Sequence, residues 1–144
     1  MTENEVATQI VDAAYRMHTS LGPGLLESVY EVVLAYELEN RGLRVVRQQA
    51  DYRLFRRMPE RWLGPRRFPL VYEGIRIEVG FRADLIVEDK VIVEIKSVET
   101  VAPVHNKQLW THLRLADKRL GLLINFNVVL IKEGIQRIAN GMPD

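Results

Sequence analysis

Three charged residues, Asp84, Glu94 and Lys96, lie in an otherwise apolar stretch of the chain. The stretch is residues 81–98, FRADLIVEDKVIVEIKSV, and it reads as two strands of branched apolar residues separated by a turn at residues 88–90. The pattern therefore predicts a β-hairpin that carries two acids and a lysine.

The register of this hairpin decides whether the three side chains meet, because side chains in a strand alternate between faces. A three-residue turn pairs Val87 with Val91. In the same register Asp84 faces Glu94, and Lys96 follows two residues later on the same face. Opposed like charges destabilise a strand pair, so the two acids call for a compensating cation. A divalent metal ion with oxygen ligands is the simplest candidate.

The other face of the predicted hairpin is apolar and must be packed; it carries Ala83, Leu85, Val87, Val91, Val93 and Ile95. A cluster of charged residues on one face of a hairpin whose other face is buried and apolar is typical of a functional site. The alternative is that the acids are simply solvated, or that Asp84 pairs with Lys96 or Arg82. The pattern alone leaves both interpretations open.

The composition favours one domain, residues 1–144, with any metal held by hard ligands. A chain of 144 residues with 47% hydrophobic content is long enough for one core and too short for two ordinary domains. The sequence has no cysteine, which excludes disulfides and thiolate zinc sites and leaves carboxylates and three histidines as metal ligands.

The first twenty residues are not typical of a signal peptide, because Glu3, Glu5 and Asp12 interrupt the apolar positions. No apolar run approaches the length of about 18 residues that a membrane-spanning helix needs. We therefore expect a cytoplasmic protein.

Positive charge is concentrated in residues 41–76, which hold ten of the fifteen arginines against three acidic residues. Such a segment suits a phosphate backbone, and interleaved aromatic residues such as Trp62 could stack on bases. We expect a nucleic-acid partner, with DNA favoured over RNA, although Arg-rich surfaces also occur on proteins without a polyanionic partner. Prolines indicate an Arg-rich loop or insertion at about residues 55–69. The arginines predicted to contact nucleic acid are Arg53, Arg56, Arg57, Arg61, Arg66 and Arg67.

Three helices are predicted, at residues 2–20, residues 25–40 with Gly42 as the stop, and residues 104–118. His18, in the last turn of the first helix, is interpreted as a dipole partner or core-edge residue. Strands are predicted at residues 43–51, 71–79 (one strand or a small hairpin), 120–126, 128–132 and 135–138.

Polar residues on two of these helices are further candidates for the site. Glu27 and Tyr30 present their polar tips together at the start of the second helix, although the helix dipole alone accounts for an acid there. His105, Gln108 and His112 share one face of the third helix, which is also typical of a solvated surface.

Five strings of the sequence, in order, resemble the GxxExxY protein family, a branch of the PD-(D/E)xK nuclease superfamily. The resemblance implies an α/β (α+β) fold with a restriction-endonuclease-like core, in which a central mixed β-sheet with a catalytic hairpin is flanked by helices. The five strings, which span nearly the whole chain, are Gly24-Leu-Leu-Glu27-Ser-Val-Tyr30, Arg82-Ala83-Asp84-Leu85, Val93-Glu94-Ile95-Lys96, Gln108-Leu109 and Leu120 to Phe126.

The resemblance also implies a metal site. Asp84, Glu94 and the backbone carbonyl of Ile95 would hold Mg²⁺, for which Mn²⁺ is expected to substitute. Glu27 would correspond to a first-helix acid that adds to the metal site in some related nucleases, and Lys96 would be the catalytic lysine.

Three other residues would support this site. Gln108 would help to orient it, and Tyr30 and His112 would lie behind the ligands. His112 stands where the family usually has a tyrosine, and Ala83 stands where the superfamily name has a proline.

The expected function is the hydrolysis of phosphodiester bonds by a metal-dependent nuclease. The alternative is a catalytically silent, nuclease-like module that binds nucleic acid or a partner protein within a larger complex. Whether the chain acts alone, as a homodimer or within a larger complex stays open.

Overall fold

The computed structural model describes residues 1–47, 68–72, 75–81 and 83–142. A short 3₁₀ helix, Ile131–Gly134, precedes the last strand. The other elements, in chain order, are α1 (Glu3–Leu21), α2 (Glu27–Asn40), β1 (Val45–Arg47), β2 (Phe68–Tyr72), β3 (Ile75–Phe81), β4 (Leu85–Val87), β5 (Val91–Lys96), α3 (Pro103–Ala116), β6 (Leu120–Asn125) and β7 (Ile135–Ala139).

Five of these strands form a mixed sheet in the order β1-β4-β5-β6-β7. β5 and β6 are parallel, and α3 makes the crossover that a parallel pair requires; the other neighbours are antiparallel. β2 and β3 form a separate antiparallel pair. A mixed sheet flanked by helices is the restriction-endonuclease-like α+β fold that was expected.

The central hairpin has the predicted register. β4 and β5 are antiparallel, with Val87 opposite Val91 and Leu85 opposite Val93. Every pair in this ladder sums to the same value, so alternate residues of the two strands share a face. The hairpin therefore places its acids as the turn length predicted.

The turn of the hairpin is tight, and Arg44, from outside the hairpin, stabilises it through hydrogen bonds. Glu88 and Asp89 both have φ of 54°, in the left-handed region that non-glycine residues rarely adopt. Lys90 N donates to Val87 O at 3.0 Å. The backbone and side chain of Arg44 bind the Glu88 carboxylate, each at 3.2 Å, and Glu88 N donates to Arg44 O at 2.8 Å. These bonds offset the cost of the backbone conformation.

The helices begin and end close to the predicted positions. Thr2 and Glu5 form a reciprocal capping box at the start of α1. α2 begins at Glu27, two residues later than expected, and Gly42, with φ of 82°, follows its end. α3 carries Pro103 at its first position, where the missing N–H costs nothing. No helix in the described ranges is long and apolar enough to cross a membrane.

The helices pack on opposite faces of the sheet. α1 and α2 cover one face, which includes Leu85, Val87, Val91, Val93, Ile95, Leu120, Leu122 and Ile124. A smaller cluster lies on the other face under α3 and consists of Ala83, Ile86, Ile92, Leu109, Leu113 and Leu123. Ala83 was predicted on the first face. That prediction is wrong because β4 begins only at Leu85, and the bend at Asp84 ends the strand alternation.

Two other strand predictions need correction. Residues 128–132 form no strand: they bend and enter the 3₁₀ helix, and Val129 is 85% exposed. Gly134, at the end of this 3₁₀ helix, passes so close to β6 that a Cβ there would lie 2.1 Å from Asn125 O, so only glycine fits at this position. In addition, Phe68 and Pro69 belong to β2 and not to an irregular segment, and residues 71–72 and 75–79 lie in β2 and β3, which pair antiparallel.

Candidate active site

The two acids come together at the open end of the hairpin, away from the turn at residues 88–90. Asp84 lies at the bend before β4, one residue beyond the last pair of the β4–β5 ladder, and its carboxyl group is hydrogen-bonded to that of Glu94. The Asp84 Oδ2 atom accepts a hydrogen bond from Ile95 N at 2.8 Å, which fixes this carboxyl group against β5. The predicted juxtaposition of the two acids is therefore present.

Both acids hold protons more tightly than exposed carboxyl groups do. Burial, together with the neighbouring Glu94 charge, raises the pKa of Asp84 to about 7, although the hydrogen bond from Ile95 N opposes the rise. Burial also raises the pKa of Glu94 to about 7, although hydrogen bonds with Asp84 and the charge of Lys96 oppose the rise. The pair is thus a carboxyl cluster in which full ionisation is unfavourable without a cation.

Lys96 is the last residue of β5 and lies half-buried on the same face as Glu94. Its charge lowers the pKa of both Asp84 and Glu94, although by less than burial raises it. The lysine is therefore close enough to the pair to act on it electrostatically, as the alternation predicted.

His112 approaches the site from α3. Its Nδ1 atom lies 3.4 Å from Glu94 Oε1, and both side chains are mostly buried, at 10% and 13% exposed. Burial lowers the pKa of His112, Lys96 lowers it further, and Asp84 raises it. The neutral ring can donate its Nδ1 proton to Glu94 and so orient that carboxylate. This contact places His112 beside Glu94, and its role behind the metal ligands stays a prediction.

The other two candidate residues of α3 are Gln108 and His105. Gln108 is exposed, one helical turn before His112. His105 Nδ1 accepts a hydrogen bond from Ala102 N at 3.3 Å, which is a local contact at the start of the helix. The structure therefore gives the third helix one residue in contact with the acids, His112, and leaves the role of Gln108 a prediction.

Glu27 and Tyr30 do not point their polar atoms the same way. Glu27 Oε1 accepts a hydrogen bond from Ser97 N at 3.2 Å, just beyond Lys96. Tyr30 is fully buried, and its hydroxyl donates to Gly22 O at 2.6 Å and accepts from Leu25 N at 3.1 Å. Glu27 thus reaches the edge of the site, whereas Tyr30 holds the connection between α1 and α2.

Two residues near the site were not singled out from the sequence. Glu31, one helical turn after Glu27, raises the pKa of Glu94 by its charge. Asn125, opposite Lys96 in the β5–β6 register, is buried and binds the backbone of Val98 through both amide atoms. The i, i+4 spacing of Glu27 and Glu31 on α2 could have indicated Glu31 from the sequence. Nothing local in the sequence indicated the second.

Two remaining predictions concern residues away from the acids. His18 is buried, and its Nε2 lies 3.1 Å from Phe126 O, in agreement with its interpretation as a core-edge residue. The predicted nucleic-acid-binding arginines, Arg53, Arg56, Arg57, Arg61, Arg66 and Arg67, lie outside the described residues.

The donor set at the acids suits a hard cation. Among residues 1–47 and the described parts of 68–142, no group of three His, Cys, Asp or Glu side chains is arranged to hold a metal ion. Mg²⁺, however, commonly takes only one or two carboxylates and completes its shell with water and substrate phosphate. Two adjacent carboxyl groups with raised pKa values fit such an ion, because its charge would relieve their repulsion.

Comparison with known proteins gives one match. A family model described as the PD-(D/E)XK nuclease superfamily matches residues 4–57 and 63–138, which is most of the chain. No curated protein and no solved structure matches the chain.

Proposed function

Since this chain belongs to the PD-(D/E)XK nuclease superfamily, we propose that it is a metal-dependent nuclease that hydrolyses phosphodiester bonds of nucleic acid. The observation that carries the proposal is the meeting of Asp84 and Glu94 across the hairpin, with Lys96 beside them. Two opposed acids in a partly buried site are unfavourable for stability alone, which supports a functional reason for their presence.

Asp84, Glu94 and the backbone carbonyl of Ile95 are the groups that would hold Mg²⁺ or Mn²⁺. When bound, the ion would neutralise the phosphate and lower the pKa of a water molecule at the site. The hydrogen bond from Ile95 N to Asp84 keeps one oxygen of this acid in place, so the pair is oriented in advance. Glu27 lies at the edge of this site, where its Oε1 accepts a hydrogen bond from Ser97 N.

Lys96 supplies the positive charge that hydrolysis needs at the phosphate. Negative charge grows on the phosphate oxygens as water attacks, and an ammonium group fixed beside them stabilises it. The same group can hold the attacking water by a hydrogen bond. The effect of the Lys96 charge on the pKa values of both acids supports this role, because it shows that the lysine is close to them.

His112 orients Glu94, and Gln108 is proposed to help from the same helix. A neutral imidazole that donates to Oε1 restricts the rotamer of Glu94 and leaves its other oxygen for the ion. The tyrosine that the family usually has at this position would donate a hydrogen bond from its hydroxyl group. A histidine that donates from Nδ1 would keep this type of contact.

The substrate is proposed to be nucleic acid, with DNA favoured, held by the Arg-rich segment through its phosphates and without sequence reading. The motif Gly24, Glu27 and Tyr30 supports placement of the chain in the GxxExxY branch of the superfamily. Gly24 has φ of 98°, a conformation that favours glycine, which gives this motif position a structural reason.

A cleavage panel tests the proposal. Labelled single- and double-stranded DNA and RNA are incubated with wild type, Asp84→Asn and Lys96→Ala, in Mg²⁺, in Mn²⁺ and in chelator. We expect wild type to cleave at least one substrate with either metal, and neither variant nor the chelated enzyme to do so. Cleavage that survives in both variants would contradict the site. Binding to DNA or RNA without cleavage under every condition would favour the silent module.

A further inference from the structure

We propose that Glu27 is a positioning residue and not a metal ligand. With Ser97, Tyr30 and Asn125 it forms a bracket around the chain directly after Lys96, and this bracket fixes the lysine in the active site. The proposal rests on the proposed function, because it takes Lys96 to be the residue that needs exact placement.

The backbone after Lys96 needs such support because the sheet ends there. Lys96 pairs with Asn125 as the last step of the β5–β6 ladder, and Phe126 N donates to Lys96 O at 2.9 Å. Residues 97–102 have no regular structure. Strand ends without partners open readily, and a displacement of about 1 Å at a catalytic group can cost about 10²-fold in rate.

The connection between α1 and α2 holds Ser97 from one side. Ser97 N donates to Glu27 Oε1 at 3.2 Å, and Ser97 Oγ donates to Leu25 O at 2.6 Å. The backbone and side chain of one residue are therefore both bound by a segment about 70 positions earlier in the sequence. This pair of bonds docks the start of α2 onto the end of β5.

Tyr30 makes that docking segment rigid. Its hydroxyl joins Gly22 O and Leu25 N, and its ring stacks on Phe126 with centroids 4.6 Å apart. Phe126 is the residue whose amide holds the carbonyl of Lys96. The buried tyrosine thus connects the loop that binds Ser97 to the strand end that binds Lys96.

Asn125 closes the bracket from β6. Its Oδ1 accepts from Val98 N at 3.1 Å, and its Nδ2 donates to Val98 O at 2.9 Å. The side chain therefore binds Val98 as a neighbouring strand would, beyond the point where the ladder stops. Asn125 is 3% exposed, so water competes little with these bonds.

The negative charge of Glu27 has an explanation without a metal. Glu27 is the first residue of α2, where the helix dipole favours an acid, and Ser97 N requires only an acceptor oxygen. A metal ligand needs the charge of the carboxylate, whereas a bracket needs its carbonyl-like oxygen. Replacement of the acid by its amide separates these two requirements.

The test compares Glu27→Gln with Glu27→Ala. Glutamine keeps an acceptor for Ser97 N, so we expect its kcat to stay within about threefold of wild type, whereas alanine lowers kcat about tenfold or more with KM little changed. Both variants should bind Mg²⁺ with a Kd within about threefold of wild type. Matched controls are Glu3→Gln and Glu3→Ala, which change the corresponding first residue of α1 and should leave kcat unchanged.

Loss of Mg²⁺ affinity by about tenfold or more in Glu27→Gln would make Glu27 a ligand and overturn the proposal. A second readout does not depend on cleavage. Amide hydrogen exchange at Ser97 and Val98 should be about tenfold faster in Glu27→Ala than in Glu27→Gln. Equal exchange rates in the two variants would exclude the bracket even if wild type proves to have no nuclease activity, and a clear difference would support it in that case.

Discussion

The two faces of the five-stranded sheet differ in composition: one is an apolar core surface, and the other carries the charged residues of the candidate site. Under α1 and α2 the face is continuously apolar, and Leu85 and Leu122 are buried in it. Under α3 the apolar cluster is smaller, and it gives way to Asp84, Glu94 and Lys96 at the strand ends.

β5 contributes to both faces, because its side chains alternate. Val93 and Ile95 enter the apolar core, whereas Glu94 and Lys96 face the site. Stability and chemistry are therefore assigned to neighbouring residues of one strand. Substitutions of the buried apolar residues should act on the free energy of unfolding with the chemistry intact. Substitutions of the charged residues should act mainly on the chemistry, and the acids should also affect stability when no metal is bound.

The largest effect is expected from the acids. Glu94→Gln preserves the shape of the side chain and removes its charge, so kcat should fall by about 10³-fold or more. Initial rates with Mg²⁺ measure the loss, and an unchanged circular dichroism spectrum shows that the fold is intact. Glu39→Gln, an exposed acid on α2, is the matched control. A Glu94→Gln enzyme with more than about a tenth of the wild-type rate would break the comparison.

The apolar face should respond in the free energy of unfolding. Leu85 is fully buried between the sheet and the α1–α2 layer, and Leu85→Ala should destabilise the protein by about 3 kcal/mol through lost burial and a cavity. Urea denaturation measures the change, while kcat per folded molecule should stay close to that of wild type. Destabilisation below about 1 kcal/mol would show that this face does not carry the core.

The acids should cost stability when no metal is bound. Burial raises the folded-state pKa of Asp84 to about 7, so its stabilising contribution is complete below its unfolded pKa near 4 and is lost as the pH rises through about 7. Asp84→Asn does not ionise. In chelator at pH 8 the variant should therefore be more stable than wild type by about 2 kcal/mol.

Urea denaturation at pH 5 and pH 8 checks this sign. The advantage of Asp84→Asn over wild type should be smaller at pH 5, where the folded wild-type carboxyl group is still protonated. A variant that is less stable than wild type at pH 8 would show that Asp84 is stabilised by its neighbours and not strained by them.

The smallest change in the free energy of unfolding is expected from removal of the Tyr30 hydroxyl group, on the α1–α2 side of the sheet. Tyr30→Phe keeps the ring stacked on Phe126 and removes the hydroxyl bonds to Gly22 and Leu25, so it should destabilise by about 1 kcal/mol. Urea denaturation measures this change. No change would mean that water replaces the hydroxyl at no cost, and it would weaken the assigned role of Tyr30 in the loop.

Local features of the sequence were enough to predict the hairpin and its acids. The register follows from the number of turn residues between Val87 and Val91, and the helix limits follow from capping at Thr2 and from Gly42. Both depend on residues close in sequence, where steric rules are strong.

Contacts between distant segments could not be predicted in the same way. Glu27 and Ser97 are 70 residues apart, and Asn125 and Val98 are 27 apart, so no periodicity connects them. The strand expected at residues 128–132 is likewise a bend and a 3₁₀ helix, although its residues have a strand-like pattern.

The central claim, that Asp84 and Glu94 share one divalent cation, is tested most directly by calorimetric titration of Mn²⁺ at pH 8. Wild type, Asp84→Asn, Glu94→Gln and Glu39→Gln are titrated side by side. We expect one ion to bind wild type and Glu39→Gln alike, and each of the other two variants to bind it about tenfold more weakly or not at all. Wild type that binds no ion, or acid variants that bind it as tightly as wild type, would contradict the claim.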